Sequence, residues 1–364
     1  MIRSKADKGP VAVAMSGGVD SSLAAALLVG KGHQVVGLTM RLFCHKEAGH
    51  ERSCCSLDSI ESARQAADRL GIPHYVIDCR RVFRKTVIDR FVEEYRNGRT
   101  PNPCVECNRH VKFGFLLDKA RSLGCESLAT GHYARIVRQQ GRPVLARGAD
   151  ERKDQSYFLW ALTSKQLGRV IFPLGGMTKS RVREKAKELG LVAAGRPESQ
   201  EICFISGSYS EFLQERFLQV PGDIVDIEGK VLGRHRGIAC YTIGQREGLG
   251  IALGRPQYVL KTDPVKNLVT VGDDILLRSA GCLVEDVNWI VKQPQRAVRC
   301  TVRIRHRHPG AGAVVKMLSG NRAEAVFDEP QRAVTPGQSA VFYRGDLVLG
   351  GGVIAATQKN HPAS

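Results

Sequence analysis

Near the start of the chain, Ser16-Gly17-Gly18-Val19-Asp20-Ser21-Ser22 combines the residue types that hold an anion. Glycines let backbone N–H groups approach a phosphate closely. Hydroxyls add donors, and a helix that begins here adds the partial positive charge of its N-terminus. A short apolar run, Val11–Met15, comes before it, and Ser21–Val29 has helical apolar spacing after it. The segment therefore reads as a strand-to-helix turn. It is not a Walker A loop, because the Gly-Lys-Ser/Thr ending is absent. An ordinary Gly-rich turn would explain one glycine but not the whole unit.

The cysteines form a second set. Thr100-Pro-Asn-Pro-Cys-Val-Glu-Cys-Asn108 places Cys104 and Cys107 in a proline-stiffened stretch. Arg99, Arg109 and Lys112 are close enough in sequence to favour a thiolate there. Cys203 lies far downstream in Ser199-Gln-Glu-Ile-Cys-Phe-Ile205. A C-x2-C can also be half of a zinc site, but that needs two further ligands at regular spacing, and no second pair follows. Cys54 and Cys55 are adjacent in a polar stretch and their role stays open. Cys79, Cys125, Cys240, Cys282 and Cys300 stand singly, mostly in apolar surroundings, and read as small buried hydrophobes. The total of eleven is odd, and the start of the chain lacks a signal peptide, so a disulfide framework is not expected.

The elements that must carry these residues alternate in type. Strand signals at His33–Met40, Tyr75–Asp78 and Ser127–Thr130 are interleaved with helical ones at Ser56–Leu70, Arg84–Tyr95, Val111–Leu123 and Lys179–Leu189. Such alternation implies a parallel sheet covered by helices on both faces. The pattern changes near residue 205. Short segments between turns follow (Val225–Ile227, Tyr258–Lys261, Leu268–Val271), and beyond Gly281 nearly everything reads as strand. The expected organisation is an α/β domain over 1–205, a small central domain over 206–278 and a C-terminal β-barrel over 279–364. That suits 364 residues, since domains run roughly 100–200 residues each. Hydrophobic residues at 43% and charged residues at 25% exclude wholesale disorder. No apolar run is long enough to span a bilayer, so the reading is a cytoplasmic protein away from the membrane. The formal charge of +18 favours polyanionic partners, nucleic acid first.

The Gly-rich unit resembles the PP-loop of ATP pyrophosphatases, whose fold is adenine nucleotide alpha hydrolase-like. That likeness implies ATP, with Mg2+, and a substrate oxygen that becomes adenylated as pyrophosphate leaves. A closer likeness runs from residue 14 to residue 346 through AMSGGVDSS, TPNPCVECNRHVKFG, ATGHYAR, KDQSYFLW, FPLGGMTKSRVRE, SQEICFI, YTIGQREGLG and TPGQSAVFYRGD. These segments, in this order, resemble the tRNA-specific 2-thiouridylases. The resemblance implies that the C2 oxygen of the wobble uridine is adenylated and then replaced by sulfur from a protein persulfide. It assigns the ATP phosphates to Ala14, Met15, Ser16, Gly17, Gly18, Val19, Asp20 and Ser21, with Met40 and Gly131 also on the nucleotide. Cys203 would carry the persulfide and Cys107 would be its partner thiol, releasing sulfur or closing a disulfide. Asn102, Pro103 and Cys104 would meet the target base. His132, Lys153, Asp154 and Gln155 would meet the tRNA. The resemblance also implies an upstream protein sulfur donor, and the expected state is a monomer when free of tRNA.

One position departs from the family pattern: many members carry Asp where this chain has Cys104. Three thiolates, Cys104, Cys107 and Cys203, are the number that holds a [4Fe–4S] cluster with one iron open, so cluster chemistry is the alternative to a persulfide relay. Toward the C-terminus, Thr301–His308 alternates with period two. As a strand it would align Arg303, Arg305 and Arg307 on one face about 6–7 Å apart, close to the phosphate spacing of a nucleic-acid strand, about 6–7 Å. A charge-protected edge strand would look the same. Arg305, His306 and Gln338 match family positions that contact tRNA.

Overall fold

A computed structural model describes residues 9–42, 57–191, 202–205, 208–251 and 254–358. Cys54 and Cys55 lie outside the described residues. The chain folds as two compact units: Met1–Val87 with Cys104–Ser206 and Asp346–Val348, and Ile88–Pro103 with Gly207–Gly345 and Leu349–Ser364. Among the described residues, no helix is long and apolar enough to cross a membrane.

The first unit is built on a five-stranded sheet. Its strands are β1 (Val11–Ala14), β2 (Val35–Arg41), β3 (His74–Asp78) and β4 (Ser127–Ala129), joined after the hairpin β5 (Ala134–Gln139) and β6 (Arg142–Arg147) by β7 (Val170–Ile171). The order is β3-β2-β1-β4-β7, and every pairing is parallel. The chain goes from β1 to one side and returns for β4 on the other. The carboxyl ends of β1 and β4 therefore flank a topological switch point, where an open parallel sheet leaves a crevice for ligands. Helix α1 (Val19–Gly30) covers β1 through Leu23, Ala24, Ala25 and Leu28, which pack on Val11, Val13 and Met15. The alanines let the helix approach closely, which places its first turn just beyond the strand end. Helix α2 (Leu57–Arg69) contributes Ala63 and Ala67 to the same core. The hairpin pairs with the chain at residues 347–348, where Leu347 lies opposite Ala146.

The second unit has two sheets. β8 (Gly222–Val225), β9 (Val231–His235), β10 (Tyr258–Asp263) and β11 (Leu268–Gly272) form one sheet in the order β10-β11-β8-β9 around Ile224, Val259, Val269 and Val271. The other runs β12 (Arg278–Trp289), β15 (Arg322–Arg332), β14 (Ala311–Leu318), β13 (Val298–Arg303), β16 (Ser339–Arg344) and β17 (Leu347–Gln358). β12 also pairs with β17, which closes the six strands into a barrel. Along β14 buried and exposed residues alternate, so Ala311, Ala313 and Val315 enter the barrel core with Val302, Phe342 and Ile354.

Candidate active site

The Gly-rich segment lies where its residue types require, between β1 and α1. Met15 N–H donates to the Leu38 carbonyl (2.8 Å), which carries the strand direction into the turn. Gly17 has φ +73°, and a Cβ there would lie 2.3 Å from the Ser59 carbonyl oxygen, so only glycine fits. Ser62 Oγ donates to the Gly17 carbonyl (3.1 Å) and ties the turn to α2. Ser21 Oγ accepts from Ser16 N–H (3.1 Å) and donates to the Gly18 carbonyl (3.0 Å), while Ser22 Oγ donates to the same carbonyl (3.1 Å). Gly18 is the N-cap of α1 without a side-chain cap, so the helix N-terminus is left for an external acceptor. Ser16 is exposed at the mouth of this turn, Ala14 ends β1, and Val19 begins the helix. Met40 is half-buried near the end of β2, where Thr39 Oγ1 donates to the Met15 carbonyl (2.9 Å). Gly131 follows β4, and a Cβ there would come within 3.0 Å of Asp20 and of Ser21 N. The two strand-end loops thus close on each other at the switch point.

A charged network stands beside this loop, joining Asp20 of the turn to two residues that the sequence reading left without a role, Tyr133 and Lys179. Lys179 Nζ donates to both carboxylate oxygens of Asp20, at 2.7 and 2.8 Å. Tyr133 Oη donates to Asp20 Oδ1 (2.8 Å), and its ring lies 5.6 Å from the Lys179 ammonium. Lys179 opens the helix Lys179–Glu188, with Thr178 as N-cap, and its backbone N–H donates to Asp150 Oδ2 (2.9 Å). Gln155 holds Tyr133 from behind, accepting from Tyr133 N–H through Oε1 and donating its own N–H to the Tyr133 carbonyl, both at 2.9 Å. The sequence signals for Lys179 were the Thr-Lys helix start and its place in the segment FPLGGMTKSRVRE, neither of which named its partner.

The thiols sit on the same unit. Cys104 and Cys107 follow Pro103 in one helical stretch, Pro103–Glu106 running into the π-helical Cys107–Leu116. Cys107 is buried and Cys104 is exposed. The short helix α3 (Arg80–Phe83) packs on that π-helical segment, and Phe83 meets Phe204, the neighbour of Cys203, edge to face at 5.7 Å. Cys107 and the Cys203 segment are thereby brought to one helix. Cys203 is half-exposed. Burial, then the Asp78 and Cys107 charges, push the Cys79 thiol up to about 12, which keeps it protonated and structural. Cys125, Cys240, Cys282 and Cys300 are buried as expected. Among the described residues, no three His, Cys, Asp or Glu side chains gather as a metal site. Cys104, Cys107 and Cys203 all belong to this unit and supply three thiolates, the donor set that the cluster alternative requires. Arg99 does not serve a thiolate: it pairs with Glu94 (2.8 Å) and Glu285 (2.5 Å) in the second unit.

Four residues expected against tRNA have varied surroundings. Lys153 is half-exposed. Asp154 is only 3% exposed; Oδ1 accepts from Gly148 N–H and Ser156 N–H and Oδ2 from Ser156 Oγ, so its carboxylate braces the loop. Gln155 positions Tyr133, as above. His132 is buried, shares a hydrogen with Thr130 Oγ1 (2.7 Å) and lies between the rings of Phe113 and Phe172. Burial, then the Lys112 charge, hold its imidazole well below the usual range, so it is neutral.

In the second unit, the segment carrying Asn102 and Pro103 is held by the turn before β16. Thr100 N–H donates to the Pro336 carbonyl (2.9 Å), and Gln338 Nε2 donates to the carbonyls of Thr100 (3.0 Å) and Pro101 (3.4 Å). Gly337 has φ +91°, and a Cβ there would lie 2.8 Å from Thr100 N and O. The basic strand needs correction. β13 ends at Arg303, because the Arg303 guanidinium turns back onto the carbonyls of His306 and His308 and closes a turn. Burial first, then the Arg305 charge, lower the His308 imidazole to about 4. Arg305 and Arg307 are exposed on this turn, and Arg305 Nη1 reaches the Arg332 carbonyl (3.2 Å). The three arginines do not form one row.

Residues 9–207 match the family described as tRNA methyl transferase HUP domain, 210–273 the tRNA methyl transferase PRC-barrel domain, and 279–354 the aminomethyltransferase beta-barrel domain. Fold and loop together define the class, a HUP-domain protein with a Gly-rich strand-to-helix turn, joined to a PRC barrel and a six-stranded barrel. Similar proteins named tRNA-specific 2-thiouridylase MnmA include that of Carboxydothermus hydrogenoformans, 50% identical over 354 residues, 94% of this chain and 97% of the relative. That of Moorella thermoacetica is 50% identical over 94% of this chain and 98% of the relative. That of Syntrophotalea carbinolica is 51% identical over 95% and 98%. The chain belongs to the tRNA-specific 2-thiouridylase family.

Proposed function

We propose that this chain is an ATP-dependent tRNA sulfurtransferase that converts the wobble uridine to 2-thiouridine, releasing AMP and pyrophosphate. The observation that carries the reading is one unit holding both a Gly-rich strand-to-helix turn at a sheet switch point and two thiols drawn to one helix. ATP enters with Mg2+ as its counter-ion. Ser16, Gly17, Gly18 and the first turn of α1 take its phosphates, and Met40 and Gly131 border the nucleotide. The uridine O2 attacks the α-phosphorus and pyrophosphate leaves, so a poor leaving group becomes AMP. The half-exposed Cys203 accepts sulfur from a donor protein as a persulfide. Its terminal sulfur attacks C2 and AMP departs. The Cys107 thiol then attacks the Cys203 sulfur, so the S–S bond to the base breaks, a Cys107–Cys203 disulfide forms and the thiocarbonyl is freed. An external thiol reduces the disulfide before the next turnover. Asn102, Pro103 and Cys104 are the residues proposed to contact the base, and Lys153, Arg305, His306 and Gln338 those proposed to contact the tRNA. Contact of RNA with the buried His132 is through a base brought into the site. The chain acts as a cytoplasmic monomer until tRNA binds. The test is incubation of the purified protein with unmodified tRNA, Mg·ATP and a persulfide donor, followed by nucleoside mass spectrometry; 2-thiouridine is the expected product.

A further inference from the structure

Resting on the reading of the Ser16–Ser21 turn as the ATP-phosphate site, we propose that Lys179 is a ligand of the pyrophosphate leaving group, with Asp20 as its positioning residue. Lys179 is 8% exposed, yet its ammonium is held by both oxygens of Asp20. Lys179 is the buried member of this pair and Asp20 the half-buried one, and burying the ammonium costs desolvation that the pairing offsets with little net gain in stability. Asp20 sits in the first turn of α1, inside the anion-binding turn itself. Alone, its carboxylate would repel a polyphosphate. Paired with Lys179, it leaves the helix N-terminus attractive to one.

Position is fixed from several sides. Tyr133 Oη binds Asp20 and its ring flanks the ammonium. Asp150 holds the Lys179 backbone N–H, and Gln155 holds Tyr133. Gly131 leaves no room for a side chain against Asp20. Such a group is set in place before charge develops, which is the condition for effective electrostatic stabilisation. In the adenylation step the bond from the uridine O2 to the α-phosphorus forms. The bond from the α-phosphorus to the bridging oxygen breaks, and pyrophosphate takes the electron pair. Lys179 is a cation placed beside the loop for that new charge.

The test compares binding of inorganic pyrophosphate with Mg2+, and separately of AMP, by calorimetry. Lys179→Met keeps the apolar stem and Lys179→Arg keeps the charge; thermal melts establish that each is folded. Lys179→Met is expected to bind pyrophosphate about 10-fold or more weakly, with AMP affinity unchanged, and Lys179→Arg to recover part of the loss. Unchanged pyrophosphate affinity in Lys179→Met overturns the proposal, as does parallel loss of AMP and pyrophosphate, which marks a structural brace. If wild type binds neither pyrophosphate nor ATP, the ATP-site reading itself is overturned, a result distinct from either.

Discussion

Cys104 and Cys107 share one helical stretch but not one environment: Cys104 faces solvent, and Cys107 is buried beside the α3 contact. A persulfide must be loaded by an external donor and then cleaved by a second thiol inside the site. Half-exposed Cys203 suits the first task and buried Cys107 the second. Cys107→Ser and Cys203→Ser are each expected to abolish 2-thiouridine formation, while Cys104→Ser slows it without stopping it. Nucleoside analysis of the three variants checks this, and full thiolation by Cys203→Ser would sink the relay. The loop and the thiols were legible because glycine, serine and cysteine declare their chemistry in a local pattern. Lys179 was not. Its partner Asp20 is 159 residues away, and no local pattern encodes a contact at that separation.

The turn Pro336-Gly337-Gln338 is an element whose task is to hold another segment. Gly337→Ala combines a left-handed φ with a Cβ driven into the Thr100 backbone. Gly345→Ala has φ +56° and open space, so it is the matched control. Denaturant unfolding is expected to show the Gly337 variant less stable than the control by about 1–3 kcal/mol. Its 2-thiouridine formation should also fall, because the Asn102–Pro103 segment shifts. Equal stability of the two variants would count against the clamp. Sequence reading found four of the five parallel strands of the first unit, since short apolar runs followed by turn residues mark buried strands, and missed the two-residue β7. It missed the hairpin β5–β6, whose tip is polar and turns through Gln140 (φ +48°) and Gly141 (φ +79°). It also carried β13 too far, because period-two spacing does not reveal that Arg303 ends the strand on its own downstream carbonyls.

At the scale of the whole chain, a charge of +18 makes tRNA affinity depend steeply on salt. Arg305 is exposed on the turn after β13. Arg305→Ala is expected to weaken tRNA binding and to reduce the slope of log affinity against log salt by roughly 0.7–0.9, one phosphate contact. A wild-type slope would return Arg305 to a solvated edge residue. Composition announced the polyanionic partner, and the loss of strand–helix alternation near residue 205, followed by an almost all-strand pattern beyond Gly281, announced the β-rich second unit. What composition could not announce was the inclusion of Ile88–Pro103 in that unit, because chain order does not record which core a segment joins. The most direct measurement is the ratio of 2-thiouridine to AMP and pyrophosphate when the purified chain acts on unmodified tRNA with Mg·ATP and a persulfide donor. The expected result is thiolation of the wobble uridine with one AMP and one pyrophosphate for each sulfur, and none without ATP; thiolation that proceeds without ATP, or ATP cleavage to ADP and phosphate, would contradict it.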